Sequence, residues 1–302
     1  MRITHDNGLS KLLLSDETRV CTGFWFTEGP VWVPTDKCLL FSDIHGSTTY
    51  RWRPGSDHAT IFRRPSWHGN GNTLDHDGNV LTCEHSGRRV SRTPYTGGAT
   101  QSLTALFEGK RLNSPNDLVV HRSGAVFFTD PPFGFTPGRE GAPPEGDPTA
   151  TRDLHVQGLF RVDRDGVLTL VADNFVAPNG LALSPDESIL YVDDSHTATI
   201  RRFDVNPDLS LSGGDVFVDM RGDYGPGEPD GMKLDTEGRI WCTGPGGVWV
   251  LDPTGNRLGI FELDHEHAAN LAFGGPDFST LYLTADTSVY AVETAVRGIG
   301  AD

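Results

Sequence analysis

Along this chain apolar residues recur mostly at every second position, in short runs that turn signals interrupt. In NTLDHDGNVLTCE, from Asn72, one apolar alternation meets the turn His76-Asp77-Gly78-Asn79 and a second alternation follows; DGMKLDTEGRIWCTG, from Asp230, repeats this around Thr236-Glu237-Gly238. Each is the pattern of a β-hairpin. Four more segments share it: EGPVWVPTDKCLLFSD from Glu28, NDLVVHRSGAVFFTD from Asn116, NGLALSPDESILYVDD from Asn179 and NLAFGGPDFSTLYLTA from Asn270. Weaker strand pairs lie between them, such as GLFRVDRDGVLTLVAD (158–173) and IRRFDVN (200–206). The polar residues that head the hairpins are spaced 44, 44, 63, 51 and 40 residues apart, close to the ~40 to 50 of propeller blades. The expected fold is all-β: one domain over residues 1–302, a six-bladed β-propeller of four-stranded antiparallel blades. A β-helix has a shorter coil, and a sandwich would not set the same polar residue at the same point of six hairpins.

The long interval carries an insertion, PPFGFTPGREGAPPEGDPTATRDLHVQ (131–157), dense in Pro, Gly and charge and without strand periodicity. Structureless loops of this length serve as lids or as plain surface loops. Both readings stand at this point.

Composition agrees with many short strands: 36 Gly and 20 Pro supply turns, and hydrophobic residues make up 36%. The formal charge is −16, from 25 basic and 41 acidic side chains, a field that repels phosphate backbones and anionic lipid. Nucleic-acid and membrane partners are therefore not expected. The first residues, MRITHDNGLSKLLLSDETRV, hold no apolar segment of secretory-signal length, and no stretch approaches a membrane span. Cys21, Cys38, Cys83 and Cys242 are widely spaced, with no C-x-x-C. They are read as reduced thiols of a cytoplasmic protein, with one disulfide left open for an exported one.

In a propeller every innermost strand starts beside the central channel, so the heads form a ring around one axis. That ring reads Glu28, Asn72, Asn116, Asn179, Asp230 and Asn270. Taken singly, an Asn or Asp at a strand start is a turn former bonded to nearby main chain. Six in register point instead to a hard cation, which takes oxygen ligands from carboxylates, amides and water. Glu28 is the most telling, because a Glu inside the apolar run FWFTEGPVWV needs a partner. Two carboxylates neutralise one divalent ion. Ca²⁺ is the first choice, with Mg²⁺, Mn²⁺, Zn²⁺ and Fe²⁺ admitted by availability.

TEGPVW at 27–32, NSPNDLVV at 113–120, APNGLALSPDES at 177–188 and EPDGMKLDTEG at 228–238 together resemble the gluconolactonase, or senescence-marker-protein (regucalcin), family. The resemblance runs from about residue 15 to about residue 293. It implies Glu28, Asn179 and Asp230 as metal ligands, Asn116 as a further ligand or substrate contact, and Asp230 as the base or nucleophile. Animal members carry an Arg where this chain has Ser114, so that sugar contact does not carry over, and the segment from Gly69 to Arg92 looks more like the bacterial gluconolactonase branch.

The implied activity is metal-dependent hydrolysis of a sugar lactone to its aldonic acid. The ion polarises the carbonyl, and a water with Asp230 as proton acceptor is preferred to direct attack by the carboxylate. Asn72, Asn116, Ser114, His68 and Trp67 are the expected substrate contacts, the last two because SWHGNGN leads into the second head. Most of the other histidines are read as turn or surface residues, and Asp130 and Asp194, which end second strands, as turn caps or supports for an ion. Two other classes share the site: a phosphotriesterase-like hydrolase resembling the diisopropyl-fluorophosphatases, and a calcium-binding propeller without catalysis. No G-x-S-x-G or helical H-x-x-x-H motif is present. The partner is a small lactone, and the chain is a monomer or homodimer.

Overall fold

The six hairpins form the inner halves of six antiparallel sheets in a computed structural model that describes residues 1–137 and 142–300. In blade 1 the strands Thr27–Val33, Cys38–Asp43, Thr48–Trp52 and Thr60–Arg63 run from axis to rim. Blade 2 runs from Gly69–Leu74 to Gln101–Thr104, blade 3 from Leu118–Val120 to Leu168–Ala172, and blade 4 from Pro178–Leu183 to Leu211–Asp219. The weaker pairs expected at 158–173 and 200–206 are the outer hairpin of blade 3, Gly158–Val162 with Leu168–Ala172, and the strand Thr199–Val205 of blade 4. Among the described residues there is no α-helix, only two short 3₁₀ turns.

The ring is closed by the N-terminus. Thr18–Thr22 is the outer strand of blade 6, pairing Thr18 with Ala291 and Thr22 with Ser288. Arg2–Asp6 adds a fifth strand to blade 5, which is one strand wider than the repeat predicts. The first and last parts of the chain thus share one sheet, so opening the ring requires breaking a strand ladder.

Buried side chains collect in six clusters, one at each blade interface. Trp241, Phe261 and Leu283 fill the interface of blades 5 and 6, while Trp32 of blade 1 stacks on Tyr282 of blade 6 with ring centroids 5.5 Å apart. Each such fully buried large apolar side chain contributes about 1.5 to 3 kcal/mol. The core is therefore a wheel of apolar wedges, and the polar axis is left as a separate layer. All four cysteines are free and buried. No helix among the described residues is long and apolar enough to cross a membrane.

Candidate active site

Neighbouring blades meet at the axis through backbone. Gly29, after Glu28, lies against the Asn70 carbonyl, and Gly71 donates its N–H to the Asn116 carbonyl at 2.8 Å. Thr129 Oγ1 donates to the Asn179 carbonyl at 2.8 Å. A methyl group on Gly180 would sit 2.0 Å from the Asp230 carbonyl oxygen, and one on Gly231 2.1 Å from the Asn270 amide. The glycine after these heads is thus set by the approach of the next blade, not by a turn. Asn270 Nδ2 completes the circle by donating to Glu28 Oε2 at 3.0 Å.

The six heads divide by how their polar atoms are used. Asn72 lies within hydrogen-bond reach of the Gly29 carbonyl (2.8 Å), Ser42 Oγ (2.9 Å) and the Asn70 carbonyl (3.0 Å) through Nδ2, and its Oδ1 accepts from Thr82 at 2.8 Å. Asn270 donates to Glu28 and accepts from the Leu271 N–H at 2.8 Å. Both amides serve as ties between blades and within them. The other four keep oxygens uncommitted among the described residues. Both hydrogen bonds to Glu28, from the Gly29 N–H (2.7 Å) and from Asn270, fall on Oε2 and leave Oε1 over. Asn179 donates Nδ2 to Ser195 Oγ at 3.0 Å, and Ser195 donates on to the Pro229 carbonyl at 2.7 Å, so Asn179 Oδ1 is left over by orientation. Among the described residues, neither the Asn116 amide nor the Asp230 carboxylate has a side-chain hydrogen bond.

Burial raises the Glu28 carboxyl to about 7. Burial likewise pushes the Asp230 carboxyl well above its ordinary range, and the charge of Glu28 adds to it. Two acidic groups thus stand together where water is scarce, and burial favours their neutral forms. Among the described residues no three His, Cys, Asp or Glu side chains gather as a metal centre. The donors here are two carboxylates and two amides, oxygen throughout, and such a set fits a hard divalent cation. A cavity of about 580 Å³ opens from Asp230 between blades 5 and 6, with apolar walls at Phe26, Val248 and Ala268 and acidic ones at Glu228 and Asp286.

Ser114 is buried and holds the insertion: its Oγ donates to the Pro131 carbonyl at 2.5 Å and accepts the Gly134 N–H at 3.0 Å. His68 pairs through Nδ1 with Ser86 Oγ at 2.8 Å, and Trp67 beside it is 51% exposed. The described part of the insertion is docked rather than loose, while 138–141 lie outside the described residues. Arg88 of blade 2 donates to the Thr151 carbonyl at 3.2 Å and lies over the Phe135 ring, and Asn113 Nδ2 donates to the Val156 carbonyl at 2.8 Å. The insertion also reaches the axis, because the Glu145 charge acts on both Glu28 and Asp230.

Two readings of single residues change. His45 and His85 are not surface residues: both are buried. Asp194 caps its turn at Thr197, whereas Asp130 reaches back across the blade, one of its oxygens buried without a partner among the described residues. Asp194 accepts the N–H groups of Val176 (2.7 Å), Ala177 (3.1 Å) and Thr197 (3.0 Å), and Asp130 that of Asn113 at 2.8 Å.

Three axial residues escaped sequence reasoning. On the second strand of each hairpin, the position beside the head carries a hydroxyl in five blades: Ser42, Thr82, Thr129, Thr243 and Thr284. Blade 4 has Asp193 there, fully buried, accepting the Gly180 N–H at 3.1 Å, with burial holding its carboxyl far above the usual range. One Asp in a column of Ser and Thr is a signal that aligned hairpins contain. Asp117, next to Asn116, is also buried, with Lys233 Nζ 3.8 Å away as counter-charge. Asn70 stands two residues before Asn72 and is buried with it.

Over residues 26–287 the chain matches the family model described as SMP-30/Gluconolactonase/LRE-like region. It is 30% identical to a gluconolactonase of Zymomonas mobilis, with 92% of this chain and 81% of that protein aligned. A pentonolactonase of Haloferax volcanii is also 30% identical, over 85% of this chain and 80% of its own length. The solved structure of a gluconolactonase from Xanthomonas campestris superposes with a TM-score of 0.85 at 32% identity, covering 97% of this chain and 94% of the other.

Proposed function

Because the chain belongs to the SMP-30/gluconolactonase/LRE-like family, we propose that it is a metal-dependent lactonase that opens a sugar lactone to the aldonic acid. Glu28, Asn179, Asp230 and Asn116 hold the ion in this reading, with Ca²⁺ the best match to oxygen-only donors. The bound cation supplies Lewis-acid polarisation of the lactone carbonyl. The protein supplies the rest. Asp230 takes the proton of the attacking water. Ser195 fixes the Asn179 amide and the Pro229 carbonyl, which immediately precedes Asp230, so two of the four donors share one brace. The apolar wall at Phe26 and Ala268 seats the ring, and the acidic wall accepts from its hydroxyls.

The observation that supports this most is the pairing of Glu28 with Asp230 at the axis: two carboxylates from blades 1 and 5, with oxygens that the described residues leave unused. Asp230→Asn keeps the shape and removes the base. It is expected to lower kcat/KM for glucono-δ-lactone by about 10²- to 10⁴-fold with the fold retained by circular dichroism. Full turnover by this variant would remove Asp230 from the reaction.

A further inference from the structure

Two residues before each head the chain is entering or beginning its innermost strand. These positions read Phe26, Asn70, Ser114, Ala177, Glu228 and Ala268. Phe26, Glu228 and Ala268 line the cavity that opens from Asp230. Asn70 holds the equivalent position in blade 2. Its carbonyl touches Gly29, directly after Glu28, so the residue packs against the start of blade 1 beside Glu28.

The hydrogen bonds of Asn70 can be read in one direction only. His85 Nδ1 lies 3.1 Å from the Glu145 carbonyl, which can only accept, so Nδ1 carries the proton. Burial holds His85 neutral, with its pKa near about 4, so Nε2 has a lone pair and no hydrogen. Asn70 Nδ2, 3.3 Å away, must donate to it. That assignment leaves Asn70 Oδ1 over, and among the described residues Oδ1 is buried without a hydrogen-bond partner in a residue that is 4% exposed. A buried acceptor with no donor is costly unless something supplies one.

We propose that Asn70 is a specificity-determining residue of the site, its Oδ1 accepting a hydrogen bond from a hydroxyl of the sugar lactone, and that His85 is the positioning residue that aims it, itself oriented by the Glu145 carbonyl of the insertion. The inference rests on the lactonase reading and deepens it: the substrate is a polyhydroxylated lactone, selected through a hydroxyl rather than through the ester. The insertion then acts on selectivity without touching the ester, because its main chain sets the His85 tautomer and hence the face Asn70 presents.

The test compares glucono-δ-lactone with δ-valerolactone, the same ring without hydroxyls, in the metal-loaded wild type, Asn70→Ala and His85→Phe. The quantity read is the ratio of kcat/KM values for the two lactones. Both variants are expected to reduce that ratio by roughly tenfold, as for a site that loses one hydroxyl-specific hydrogen bond, with the smaller fall in His85→Phe. A merely structural role would lower both lactones together and leave the ratio where it was; an unchanged ratio in either folded variant overturns the proposal. A wild type that opens neither lactone overturns the lactonase reading itself, and this inference with it.

Discussion

The sharpest consequence of the axial pair concerns stability in the absence of metal. Glu28 is buried, and its carboxyl stands at about 7 against an ordinary 4.5, so ionising it in the fold costs about 3 kcal/mol at 1.36 kcal/mol per unit. The groups that face it are Asp117, Glu145 and Asp230, all acidic, with only Asn270 and the Gly29 N–H as donors. A carboxyl whose folded pKa lies above its unfolded one contributes fully below pH 4.5, and that contribution drains away as pH rises through 7. Chelated wild-type protein should therefore lose about 3 kcal/mol relative to Glu28→Gln between pH 4.5 and pH 8. With an unfolding entropy of about 2.1 cal/mol/K per residue over 302 residues, that is a Tm difference of about 5 °C. Thermal scans of both proteins in chelator should meet near pH 4.5 and diverge above it, the variant melting higher. Added Ca²⁺ should raise the wild type by mass action, about 2.7 kcal/mol at a hundredfold excess over Kd, and leave the variant behind. Parallel curves across the whole window, or equal stabilisation of both by Ca²⁺, would refute the reasoning.

Asp193→Thr restores the hydroxyl found in the other five blades; the protein is expected to melt no lower than wild type in chelator, because a buried acid is replaced by the residue the frame uses elsewhere, while kcat/KM on glucono-δ-lactone falls about tenfold with the loss of its hold on Gly180. Paired thermal scans and steady-state assays read both effects. Removing residues 1–6 takes away only the fifth strand of blade 5, and the product should unfold cooperatively a few degrees lower; removing 1–22 strips the outer strand of blade 6 and should yield aggregated protein with no cooperative transition in calorimetry.

The blades were legible because a hairpin announces itself locally. Alternation and turn chemistry around His76-Asp77-Gly78-Asn79 or Thr236-Glu237-Gly238 need no knowledge of the rest of the chain. The closure was not legible for the opposite reason. Arg2–Asp6 and Thr18–Thr22 each have a weak pattern of their own, and they become strands only because edges near residues 260 and 290 await them. Their partners are distant in sequence, so nothing beside them marks the pairing. The width of blade 5 follows from the same cause. The insertion lay between these cases: its lack of periodicity was plain, but its docking depends on Arg88, Asn113 and Ser114, which belong to other elements.

The site shows where the repeat stops being informative. Register marks six heads, yet residue type cannot separate an Asn that ties blades from an Asn with an oxygen to spare. Asn72 and Asn179 occupy the same point of their hairpins; Ser42 and Thr82 absorb the amide of one, while Ser195 takes only the Nδ2 of the other. The difference lies in the neighbours of the head, one strand or one blade away. The same holds for Asn70, whose free oxygen follows from a histidine tautomer fixed by a carbonyl 60 residues further on. A propeller repeats its frame because every blade must meet the next in the same way, which is why Ser and Thr recur beside the heads. Departures from that repetition are not required by the frame and carry a stability cost, as a buried acid at Asp193 does. Such departures are where chemistry is to be sought, and here Asp193, Glu28, Asp230 and Asn70 all lie around one axis.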